Sequence, residues 1–207
     1  MKKVILLVIV FSVFKNTIHA QTSFGITAGI TSAFIDAKAD GLTLSSDTKV
    51  GFTAGFTTSS SIGKHWSIRP ELNFTQKGAT VNFSQEGIKD NTTFNYLELP
   101  VNIAYSKKGK FFFGAGSSVA YAVSGKYKIT GMYSESGDLK IGNGANDDFK
   151  PFEFGFNIMA GYQLAGGIFF TANYNAGISN ISATNDEQDH NSYFGLRAGY
   201  MFKGKKK

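Results

Sequence analysis

From residue 50 to 59 the chain reads Val, Gly, Phe, Thr, Ala, Gly, Phe, Thr, Thr, Ser. In an extended strand that order puts Val50, Phe52, Ala54 and Phe56 on one face and Gly51, Thr53, Gly55 and Thr57 on the other. A helix, with its period of about 3.6, does not generate such a pattern. The same two-residue alternation recurs over residues 23–34, 66–76, 94–105, 111–124, 151–164, 168–179 and 192–202, which makes eight segments in all. Each has the roughly 9–11 residues, or slightly more, with which a tilted strand crosses a bilayer. After Gln21 no apolar run approaches the roughly 20 residues of a membrane helix, so any crossing must be made by strands.

The connections carry a second signal. Residues 62–65, 106–110 and 165–167 are short and rich in Gly and Lys, whereas residues 35–49, 77–93, 125–150 and 180–191 are long. Bacterial barrels pair short periplasmic turns with longer external loops. An even strand count and a long first connection put both chain ends in the periplasm. The expected fold is an all-β, eight-stranded, antiparallel up-and-down transmembrane barrel, and its expected place is the outer membrane, in contact with outer-membrane lipids.

Size and charge decide which face looks outward. One face carries Phe52, Phe56, Leu72, Phe74, Leu99, Ile103, Phe113, Val119, Phe154, Phe156, Ile158, Phe170, Tyr174, Leu196 and Tyr200, and the other is mostly Gly, Ser, Thr and Asn. The lumen of an eight-stranded barrel is just wide enough to be filled by side chains, so the bulky set must face lipid. Of 15 acidic residues, twelve fall in the long connections. The other three, Glu71, Glu98 and Glu153, sit on the polar face, as do Arg69 and Arg197. A one-residue slip would turn these five toward lipid at about 2–4 kcal/mol for each Arg near the midplane, and somewhat less for each Glu. That sum rivals the roughly 5–15 kcal/mol stability of a whole domain. The sequence therefore predicts that Arg69, Glu71, Glu98, Glu153 and Arg197 form a hydrogen-bonded ionic cluster in the lumen. Pro70 and Pro100 interrupt predicted strands, and each predicts a β-bulge or a luminal water.

Residues 1–20 read as an export signal: Lys2 and Lys3, an apolar run over residues 4–14 broken by Ser12, and Ala20 as the last residue before cleavage. The barrel domain then spans residues 21–207, with a basic tail over residues 203–207. Cysteine is absent, which leaves no disulfide framework, thiolate metal site, thiol catalysis or lipoprotein-type anchor. The formal charge of +6 does not mark a nucleic-acid binder. Three of the 21 basic residues fall in the export segment and four in the last five positions, leaving 14 against 15 acidic ones.

Four segments together resemble the PorT-like family of outer-membrane β-barrel proteins. They are Phe24-Gly25-Ile26-Thr27-Ala28-Gly29; Arg69-Pro70-Glu71-Leu72 leading to Gln76-Lys77-Gly78; Tyr96-Leu97-Glu98-Leu99-Pro100-Val101; and Phe194-Gly195-Leu196-Arg197-Ala198-Gly199-Tyr200. The resemblance covers nearly all of the chain after the export segment. It implies an eight-stranded barrel, export to the outer membrane and, for the founding type, a part in protein secretion. Barrels of this kind commonly stop at an aromatic read by the barrel-assembly machinery, whereas here Phe202 is followed by Lys203, Gly204 and three more lysines.

No enzyme is expected and no cofactor is called for. Of the two histidines beyond the export segment, His65 falls in a short turn and His190 in a long connection, so a barrel wall about 25 Å tall separates them. His190 stands beside Asp186, Glu187 and Asp189, which could ligate a divalent cation, although the plainer account is a solvated acidic loop. Ser117 and Ser118 read as small luminal residues. A lumen filled by side chains disfavours a diffusive pore. Two functions stay open: an accessory component of protein secretion or outer-membrane assembly, with secretion-system partners, or a structural or adhesion-type barrel whose loops bind extracellular protein partners.

Overall fold

The computed structural model describes residues 22–39, 42–83, 87–107, 110–131, 133–144, 146–184 and 188–202. The export segment and the basic tail read from the sequence lie outside them. In chain order the strands are β1 (Thr22–Ala39), β2 (Leu42–Ser45), β3 (Lys49–Ser61), β4 (Trp66–Phe83), β5 (Ile88–Tyr105), β6 (Phe111–Thr130), β7 (Glu135–Asp138), β8 (Phe152–Gln163), β9 (Ile168–Gly177) and β10 (Gln188–Phe202). Eight of them form an antiparallel ring in the order β1, β3, β4, β5, β6, β8, β9, β10. The ring is closed by β10 against β1, in register from Phe24 opposite Phe202 to Lys38 opposite Gln188. Closure leaves none of the eight with a bare edge, which matters in a medium that offers no hydrogen bonds. The short strands β2 and β7 add to the ends of β1 and β6.

The alternation read from the sequence is the pleat of this wall. The bulky residues assigned to the outward face are exposed, apart from Phe74 and Tyr174. Those two are half-buried because they stack on Phe52 and Phe194, at ring separations of 5.6 and 4.6 Å. At the short-turn end Trp66, Tyr105 and Phe113 form an aromatic cluster with spacings of 5.1 and 5.5 Å, the girdle that such barrels place at a bilayer interface. The turn between β8 and β9 closes with Leu164 N–H donating to Ile168 O at 2.7 Å, and Gly167 takes a φ of +98°, which favours glycine.

Neither proline produces the bulge expected of it. The β3–β4 register is the same on both sides of Pro70, from Thr57 opposite Glu71 to Ser60 opposite Ile68, and only the ladder is interrupted. Pro100 pairs with Ser118 within an unbroken register from Tyr96 to Tyr105. The bulge lies instead where Asn95 faces Ser124 but Tyr96 faces Ala122, making Val123 the extra residue. Beyond it the inward set of β6 shifts from Ala120 and Ala122 to Gly125.

The wall is taller on one side than the sequence suggests. Residues 77–93, read as a connection, are largely a hairpin in which β4 and β5 stay paired out to Phe83 opposite Ile88. Likewise β6 runs on to Thr130 between β5 and β7. Across this end of the lumen lies an apolar cap. Phe94, Tyr96, Ala120 and Ala122 pack beneath Ile35, Leu139, Ile141 and Phe149. Phe149 meets Phe94 edge-on at 4.8 Å and bridges Ser182, next to the fully buried Ile181.

Candidate functional site

The inward positions of four strands bring six charged side chains into the lumen. Arg69, Glu71 and Lys77 come from β4, Glu98 from β5, Glu153 from β8 and Arg197 from β10, and each is at most 6% exposed. They divide into two groups. Toward the cap, Lys77 Nζ lies 2.7 Å from Glu153 Oε1 and 3.0 Å from Glu98 Oε1. Glu98 Oε2 also accepts from Tyr193 OH at 2.8 Å and from Thr75 Oγ1 at 3.0 Å. The lysine stands 5.0 and 4.8 Å from the ring centres of Tyr96 and Tyr193, so aromatic faces add to its carboxylate partners.

Toward the short-turn end, Arg197 Nη1 pairs with Glu71 Oε2, which also accepts from Asn73 Nδ2 at 3.0 Å. Arg69 takes a different environment: its guanidinium lies 4.0 Å from the centre of the Phe112 ring and 5.9 Å from that of Phe169. Among the described residues, then, the five charges singled out in the sequence share one lumen without forming one cluster. Arg197 joins Glu71, Lys77 joins Glu98 to Glu153, and Arg69 stacks on aromatics. Lys77 escaped the sequence reading because it was assigned to a connection. The signal was present, since Arg69, Glu71, Asn73, Thr75 and Lys77 occupy successive inward positions of one strand.

Amides fill the space between these groups. Asn157 Nδ2 donates to Asn102 Oδ1 at 2.8 Å, Asn173 Nδ2 to Asn157 Oδ1 at 3.2 Å, and Asn175 Nδ2 to Ser118 Oγ at 2.6 Å. A buried polar network of this kind is stabilising when its members are satisfied and costly when one is removed. Ser118 is thus a luminal hydrogen-bond acceptor, but Ser117 faces outward, contrary to the luminal reading given to both. His65 lies in the bend before β4, near Tyr105, and His190 lies in β10 opposite Asp36, at the other end of the wall. Asp186 and Glu187, weighed as cation ligands beside His190, lie outside the described residues.

A closed antiparallel ring with an apolar exterior and a lumen packed with paired charges and amides defines the class: an eight-stranded transmembrane β-barrel. The chain belongs to the outer membrane protein beta-barrel domain family, whose model matches residues 19–183, and outer-membrane localisation follows from that membership. Among solved structures it resembles Ail, the attachment invasion locus protein of Yersinia pestis, in complex with the heparin analogue sucrose octasulfate. The TM-score is 0.50 at 16% identity, over 88% of this chain and 99% of that one. A second Ail structure gives 0.51 at 15% identity with the same coverage. Neisserial surface protein A gives 0.49 at 11% identity, over 87% of this chain and 99% of that one. At such identities the likeness concerns the fold alone. No curated protein matches the sequence.

Proposed function

We propose that this is a non-enzymatic surface barrel of the adhesion type, whose tall wall of β4, β5 and β6 presents a binding surface outside the cell while both termini stay in the periplasm. The observation that carries this reading is the asymmetry of the two ends. One end has three short connections, whereas the other carries paired strands that continue past the apolar band, together with the cap. A hairpin held by a continuous ladder offers a partner a pre-ordered surface, which lowers the entropy lost on binding. The exposed positions there include Asn82, Lys89, Lys126 and Lys128, with Val81 and Phe83 among them, a composition suited to a polar surface with apolar anchors. The barrel fold is also that of Ail, a protein whose name denotes attachment and invasion. Outer-membrane lipids and, during insertion, the barrel-assembly machinery are the other partners this reading calls for.

The second reading, an accessory role in protein secretion or outer-membrane assembly, draws on the PorT-like motifs in β4, β5 and β10. One strain separates the two. Replacing residues 80–91 by a short Gly-Ser turn keeps the ring strands and removes the hairpin tip. Reduced binding to host cells or matrix, with the secreted proteome unchanged, is the result expected of a surface barrel. Normal binding with a depleted secretome would transfer the case to the secretion reading.

A further inference from the structure

The luminal charges do not balance evenly along the barrel axis. Near the cap one cation, Lys77, serves two carboxylates, Glu98 and Glu153. Near the short-turn end two guanidiniums, Arg69 and Arg197, face a single carboxylate, and Glu71 is already taken up by Arg197 and Asn73. Arg69 feels attraction from Glu71 and repulsion from Arg197. It is 4% exposed, and among the described residues its Nε has no hydrogen-bond partner. A buried cation in this position is expensive unless an anion approaches it, and stacking on Phe112 and Phe169 offsets part of that cost.

Space for the anion is present. Arg69 and Phe112 line a cavity of about 350 Å³ that opens at the short-turn mouth of the lumen. Lys64, His65 and Lys107 also line it, with Ser67 and Gln163 as uncharged donors, and among the described residues no Asp or Glu lines it. Three permanent cations around one small opening focus a positive potential into it. The planar guanidinium at its inner end suits the paired oxygens of a phosphate better than a point-like ligand.

We propose that the short-turn mouth is a binding site for a phosphate-class oxyanion, with Arg69 as the deep ligand and Lys64 and Lys107 as rim ligands. Two sources share this chemistry, namely free phosphate and the phosphodiester of a lipid headgroup from the surrounding leaflet. The test uses the processed chain folded in an uncharged maltoside detergent and checked for heat-modifiable gel migration. Calorimetric titration with inorganic phosphate forms one arm, and titration with a soluble short-chain phosphatidylglycerol forms the other. Saturable binding is expected, weakened by about tenfold in Lys64→Ala/Lys107→Ala and by at least as much in Arg69→Met. Should Arg69→Met not fold, the double variant decides alone, because both lysines are exposed turn residues. Preference for phosphate assigns the site to a soluble anion, and preference for the lipid assigns it to a headgroup. The proposal is overturned if neither probe binds saturably, or if binding is untouched by the double variant.

Discussion

Replacing Lys77 by methionine would keep much of its apolar stem but leave Glu98 and Glu153, both buried, without their shared cation. Removing one partner of a buried ion pair typically costs about 3–5 kcal/mol, because the remaining charge is stranded. The expected outcome is a Lys77→Met barrel that loses its heat-modifiable migration at a lower temperature and lower urea concentration than the parent. Adding Glu98→Gln and Glu153→Gln should recover part of the loss, since neutral amides need no counter-charge. An unchanged midpoint in the single variant would mean that the trio contributes nothing to stability. At this scale the sequence disclosed which side of each strand a charge occupies, because alternation and the cost of ions in lipid act on every residue alone. Partner choice was not legible, since it depends on how strands far apart in the chain are staggered. Arg69 shows this well: its neighbours Phe112 and Phe169 belong to β6 and β9, and nothing in the local sequence of β4 points to them.

Strands answer to lipid where they cross it and to each other where they do not. Phe156, near the middle of β8 and exposed on the outer wall, should tolerate arginine poorly, at about 2–4 kcal/mol near the midplane. Lys128, on the part of β6 that pairs with β7, is exposed beyond the apolar band, and Lys128→Glu should change stability by no more than about 0.5 kcal/mol. Reversible unfolding from bilayers would measure both, and equal costs would contradict the outward assignment of Phe156. The same division explains what could be read in advance. Each crossing was legible because lipid demands a bulky apolar residue at every second position. The outer halves of β4, β5 and β6 were not, because residues such as Thr92, Thr93, Asn91 and Lys126 face no such demand and look like loop. Pro70 and Pro100 misled for a related reason: a lost ladder bond can be absorbed without an inserted residue, and the actual insertion, Val123, has an ordinary strand composition.

For the molecule as a whole, closure at one end and paired charges within should prevent ion flow. In planar bilayers the barrel is expected to show no discrete conductance steps, and regular steps in the wild-type protein would refute the filled-lumen account. The eight-stranded fold was legible from the number and spacing of segments. The cap was not, because Phe94 comes from β5, Ile141 and Phe149 from the connection before β8, and Ile181 from the connection before β10, with no shared period.

The seam between β1 and β10 has a consequence for how such a wall is made. Phe24 and Phe202 stand opposite each other, so the first crossing waits for nearly the entire polypeptide before it meets its second neighbour. Contacts that distant in sequence form slowly, and meanwhile two unsatisfied edges invite pairing with any other chain at hand. Shortening the final strand would therefore do more than trim one stave: the cylinder would stay an open, sticky ribbon, and an escort during biogenesis becomes a physical necessity.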